Sequence, residues 1–188
     1  MSATRIPMKK ELVLTGSDYY YSGKYADIGQ KLKPAVFLEF RNKGEGLGIP
    51  LPAGIARIYK KDSGGHIQFV GEDQVDHSAA GENVRLKPGN AFDVTVERKQ
   101  TDFLKLAGEG LKDSREGNTF ESAFEILLRN ARKETVTVTV REPIPGDWQV
   151  VSESQAHSKV SSNMAEWKVV VPAGGHNVLN YRVRVKNF

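Results

Sequence analysis

Glu72-Asp73-Gln74-Val75-Asp76-His77 is the densest run of ligand-type side chains in the sequence. Carboxylate oxygens so close together suit calcium, and an imidazole suits a transition metal. The spacing fits neither an EF-hand loop nor any other metal pattern, so the run reads as an acidic turn with no metal and no cofactor. Asp18-Tyr19-Tyr20-Tyr21-Ser22, with Tyr25 close by, offers a different chemistry. Tyrosine presents a wide apolar ring with a polar tip, which suits protein-binding and glycan-binding surfaces alike. Tyr19, Tyr20, Tyr21 and Tyr25 are therefore the candidate binding residues. In a strand, Tyr19 and Tyr21 would face one way and Tyr20 the other.

Catalytic arrangements are not legible. No Gly-x-Ser-x-Gly elbow is present, and without a cysteine there is no thiol nucleophile, disulfide framework or zinc knuckle. His66, His77, His157 and His176 each sit beside a predicted turn. Gly44-Glu45-Gly46-Leu47-Gly48 lacks the lysine, the Ser/Thr and the following helix of a phosphate cradle. It reads as a flexible connection into Pro50-Leu51-Pro52. The expectation is a protein that is not an enzyme.

The elements that would position these residues are strands. Phe92, Val94 and Val96 alternate with Asp93, Thr95 and Glu97. Val136, Val138 and Val140 alternate with threonines, and Tyr181, Val183 and Val185 with Arg182, Arg184 and Lys186. Period-two alternation is what a sheet with one buried face produces. About eleven such strands, punctuated by Asp62-Ser63-Gly64-Gly65, Lys87-Pro88-Gly89-Asn90 and Pro172-Ala173-Gly174-Gly175, predict an all-β fold of two packed β-sandwich-like units. The boundary falls near Pro88–Asn90. It separates an N-terminal β unit (1–89) carrying the tyrosine-rich loop from an immunoglobulin-like sandwich (90–188). Leu104–Gly117 reads as a long loop, and Trp148 and Trp167 as core plugs between sheets, with sugar stacking as their alternative role.

The chain has 188 residues, 39% hydrophobic and 27% charged, with a formal net charge of +4. That balance is globular, and no block of like charge marks a nucleic-acid arm. No apolar stretch approaches the ~18 residues of a membrane span. Met1-Ser2-Ala3-Thr4-Arg5 reads as an initiator in front of a fragment.

A set of segments carries a family resemblance. It runs through Val36-Phe37-Leu38-Glu39-Phe40, Gly46–Gly54, Arg57–Asp62 and Phe69–Asp73. It continues through Val84–Lys87, Ala91–Val94, Glu97–Phe103, Glu125–Asn130, Pro145-Gly146-Asp147-Trp148 and Tyr181–Val185. In this order they resemble a bacterial domain-of-unknown-function family that forms the C-terminal part of mucoidy-inhibitor-A-like secreted or periplasmic proteins. The resemblance implies a periplasmic or secreted all-β envelope module, lying behind a partly coiled-coil N-terminal region that is missing here, with no established activity. The expected function is protein–protein docking or scaffolding, with a protein partner or that N-terminal region as the occupant. A glycan-binding module using exposed tyrosines or a tryptophan is the alternative. Nucleic acid and direct membrane insertion are not expected.

Overall fold

The computed structural model describes residues 3, 5–21, 23–24, 31–106 and 119–186, with side chains at 19 and 20 outside the description. Thirteen strands account for most of these residues: β1 Lys9–Thr15, β2 Lys31–Leu32, β3 Ala35–Arg41, β4 Gly54–Lys61, β5 Ile67–Val75, β6 Asn83–Asn90, β7 Val94–Leu106, β8 Thr119–Asn130, β9 Val136–Pro143, β10 Asp147–Glu153, β11 Ser158–Ser161, β12 Met164–Val171 and β13 His176–Lys186. The one helical element among the described residues is a 3-10 turn, Asp18–Tyr21. The chain is all-β, as the alternation predicts.

Two compact units divide the chain, and both are discontinuous. The first comprises residues 1–12 and 35–91, the second 13–34 and 92–188. Strand β1 is split between them, Lys9–Leu12 counting with the first and Val13–Thr15 with the second.

In the first unit β3 lies between β1 and β6, while β4 and β5 form a separate two-stranded sheet. The tip of the β4–β5 hairpin is built by Asp62, as the Asp-Ser-Gly-Gly signal requires. Its carboxylate accepts from the backbone N–H groups of Gly64 and His66, each at 2.9 Å. The inner face of the hairpin meets β6: a Cβ on Gly71 would overlap the Pro88 carbonyl, and the Asp73 carboxylate accepts from Lys87 N–H at 2.7 Å. Asn42, fully buried, organises the glycine loop. Its Nδ2 donates to the Ile49 and Ala79 carbonyls, and its Oδ1 accepts from Gly48 N–H. That loop, expected as a loose connection, is pinned by one amide.

Two local expectations fail here. Lys87-Pro88-Gly89-Asn90 is not a turn. β6 runs through it, and the extra residue is absorbed as a β-bulge between the pairs Val36–Gly89 and Leu38–Leu86. A bulge tolerates a proline that has no N–H to donate. Glu72–His77 is likewise not a compact turn, since β5 continues to Val75.

In the second unit, a sheet ordered β10-β13-β8-β7-β2 faces strands β11-β12-β9 and the second half of β1. The predicted alternation is seen in burial: Val94 and Val96, Val136, Val138 and Val140, and Tyr181, Val183 and Val185 all point inward. Phe92 does not. It is 82% exposed, because β7 begins only at Val94 and the residues before it follow no strand register. Trp148 and Trp167 are interior. Trp167 stacks on Tyr181 with ring centroids 4.7 Å apart and donates its Nε1–H to Glu153 at 2.9 Å. Trp148 donates to the Ser162 carbonyl at 2.8 Å. Buried indoles with satisfied N–H groups are core elements and offer no open platform for a sugar.

Candidate functional site

Of the four candidate tyrosines, the side chain of Tyr21 alone falls within the described residues. Tyr19 and Tyr20 lie in the 3-10 turn with side chains outside the description, and Tyr25 lies outside the described residues. Tyr21 is fully buried, so it is not a surface anchor. A 3-10 turn advances about three residues per turn, so the strand alternation expected for these tyrosines does not apply.

What Tyr21 meets is a buried polar cluster in the second unit. Its hydroxyl donates to Glu142 Oε2 at 3.2 Å and shares a hydrogen bond with the Tyr181 hydroxyl at 2.9 Å. Arg98 donates through Nη2 to Tyr181 at 3.1 Å and to Tyr21 at 3.4 Å, and its Nη1 lies 3.1 Å from Glu142 Oε2. The guanidinium also sits over the Phe124 ring, 4.5 Å from its centroid. None of Tyr21, Arg98, Glu142 and Tyr181 is more than 2% exposed. Burial pushes the Glu142 carboxyl above its ordinary range, against the pull of Arg98 and the Tyr21 hydrogen bond. Burial raises both phenols as well.

A carboxyl with a raised pKa beside an arginine and two phenols has the makings of acid–base chemistry. A reactant would have to reach it, however, and the four residues expose at most 2% of their surface, with Tyr181 alone bordering a surface depression. The cluster holds the 3-10 turn against the sandwich. Gly16 shows how tightly: a Cβ there would overlap Glu142 Oε2 and lie 2.7 Å from Arg98 Nη1. Gly16→Ala is therefore expected to cost about 1–3 kcal/mol, as other overpacked cores do. Urea denaturation checks this, the midpoint falling with little change in slope.

Neither Arg98 nor Glu142 stands out by residue type, yet the pattern places both. Val94-Val96-Arg98 and Val136-Val138-Val140-Glu142 are single inward registers, so each charge occupies the next core position of its strand.

Glu72 pairs with Arg57 at 3.3 Å, Asp73 accepts backbone hydrogen bonds, and His77 Nδ1 accepts from Ala53 N–H at 3.3 Å. Among the described residues no three His, Asp or Glu side chains gather as a metal site. His157 contacts Glu153 at 2.9 Å between the two tryptophan rings, and His66 contacts Asp62 at the hairpin tip. A depression of about 330 Å³ lies beside Thr101, Ser152 and Arg182 in the second unit. The guanidinium there is already engaged by Asp102 at 2.6 Å and Glu121 at 3.4 Å.

The outer face of the β4–β5 hairpin is different. The register sets Ile55, Arg57, Tyr59 and Lys61 on one face, opposite Gln74, Glu72, Phe69 and Ile67. The bulge at Val70 keeps Phe69 across from Tyr59, and their rings meet edge-on at 5.5 Å. The apolar members are open to solvent: Ile55 is 64% exposed, Tyr59 55%, Ile67 66% and Phe69 58%. Opposite-face residues Ala56, Ile58, Gly71, Asp73 and Val75 are all less exposed. An alternating strand that keeps its larger apolar side chains on the wet side is presenting them. Sequence patterning could not find this surface, since Ile55 and Tyr59 read as core positions until the covered face is known.

The sequence matches the family model described as a domain of unknown function (DUF4139) over residues 21–187. No curated protein and no solved structure matches the chain.

Proposed function

We propose that this chain, which belongs to the DUF4139 family of domains of unknown function, is a non-catalytic module that docks a protein partner through the outer face of its β4–β5 hairpin. The observation that carries the proposal is the exposed Ile55, Tyr59, Ile67 and Phe69 face. Scattered exposed apolar side chains are ordinary. A contiguous group centred on two touching rings, on a hairpin held at its tip by Asp62, has the makings of an interface core. The burial of Arg98 and Glu142 supports a structural use for that cluster.

The setting belongs to the same proposal. It is a mucoidy-inhibitor-A-like secreted or periplasmic protein, with an immunoglobulin-like second unit. The support is the ordered set of matching segments from Val36 to Val185, which lies inside the family match.

A photo-crosslinking residue in place of Phe69, carried by the protein in its native cell, tests the reading. Irradiation is expected to give a discrete protein adduct that weakens when Tyr59→Ser and Ile67→Ser are added. Surface changes of this kind leave stability within about 0.5 kcal/mol. No adduct from position 69 would remove the docking reading, and an adduct to polysaccharide would replace it with glycan binding.

A further inference from the structure

The free edge of β4 narrows the partner's chemistry. β4 pairs with β5 on one side and with no other strand among the described residues. An eight-residue edge strand offers unpaired backbone donors and acceptors to another extended segment. The edge is also one-signed: Gly54–Lys61 contains Arg57, Lys60 and Lys61 and no carboxylate. We infer that β4 takes up an extended acidic segment of the partner protein as an added strand, an inference that rests on the docking reading above.

β5 already displays the complement on the other side of β4. Glu72 stands across from Arg57 at 3.3 Å, and Phe69 across from Tyr59. A strand added to the free edge meets the same outer-face order of Ile55, Arg57, Tyr59 and Lys61. Its matching residues alternate apolar, acidic, apolar, acidic at every second position. The Arg57–Glu72 pair does not block this, because both side chains are at least half exposed and such pairs are weak. A second copy of β4 is a poor occupant. Antiparallel self-pairing sets three cations against three with no carboxylate between them, and opposed like charges destabilise a sheet.

The test uses the whole chain and a fluorescent nine-residue peptide, Glu-Thr-Ile-Thr-Glu-Thr-Phe-Thr-Glu, which presents the pattern in either strand direction. Its controls replace the three glutamates with lysine, or scramble the order at constant composition. Fluorescence anisotropy is expected to show the acidic peptide binding about tenfold more tightly than the lysine peptide, with the difference shrinking as salt is added. The scrambled peptide should bind weakly. Arg57→Glu with Lys61→Glu should reverse the preference, and both side chains are exposed enough for the fold to survive. Equal binding of acidic and lysine peptides, equal binding of the scrambled peptide, or no saturable binding overturns the inference. So does a concentration-dependent dimer in sedimentation that the double variant abolishes, which would make a second copy the occupant. Crosslinks from position 69 to a partner segment without alternating carboxylates overturn strand addition and leave docking standing. The absence of any crosslink removes docking itself.

Discussion

Replacing Arg98 with methionine is expected to cost the second unit about 3–5 kcal/mol, because it leaves the Glu142 carboxylate buried without its cation. Removing the carboxylate as well should recover much of that loss. An Arg98→Met, Glu142→Leu double variant exchanges a desolvated pair for apolar contacts among Val140, Phe124 and Tyr181. The two variants separate the penalty of an orphaned charge from the net worth of the pair. The pH dependence has a definite sign. In the folded state the Glu142 carboxyl is held above its ordinary value, so the folded chain takes up the proton more readily than the unfolded chain. A group of this kind stabilises fully below its unfolded pKa, and the contribution is lost as pH rises through the folded pKa. Without Arg98 the carboxyl moves higher still. The deficit of Arg98→Met should therefore be larger at pH 8 than at pH 5, as denaturant midpoints at the two pH values would show. A deficit independent of pH would mean that Glu142 does not change its protonation state between pH 5 and pH 8.

Trp167→Ala should be comparably severe, at about 3–5 kcal/mol. The indole is fully buried, stacks on Tyr181, and supplies the donor for one oxygen of Glu153. Truncation opens a cavity between the sheets and removes that donor. In a chain of this size the loss corresponds to a fall of roughly 10 °C in melting temperature. A melting temperature within a degree or two of the parent would show that the sandwich collapses onto the space, at odds with the stacking of Trp167 on Tyr181.

A period of two in the sequence carries a strand and its buried face, but not what lies across from it. Val136, Val138 and Val140 announce a strand and its buried face together, since the threonines between them must be wet. The same logic fails at Phe92, where the periodicity continues two residues beyond the hydrogen-bonded ladder. It hides Arg98 and Glu142, because charge suggests solvent even where position suggests core. Only the two partners together make either one tolerable inside, and they are 44 residues apart in the chain. Pro88-Gly89 looks like a turn because the usual turn signals do not distinguish a reversal from a bulge. Tyr21 was legible as chemistry and not as location. Its aromatic neighbours in the sequence suggest display, while its burial depends on Phe124, Glu142 and Tyr181, all distant in the chain. The hairpin face was the least legible feature, since which side of β4 is covered is decided by β6.

The split composition of the second unit also has a consequence during synthesis. Residues 13–34 leave the ribosome early, but most of the strands they join, from β7 to β13, follow residue 92. At about 5–20 residues per second, the stretch from Val94 to Lys186 takes roughly 5–20 s to translate. Throughout that interval Val13, Leu14 and Tyr21 have no core to enter, while every strand segment of the first unit is already available for pairing. The nascent chain thus passes through a stage with one unit able to close and Val13, Leu14 and Tyr21 still waiting for their core. A holding chaperone would find a target there in Val13, Leu14 and Tyr21, three side chains that are later buried in the core.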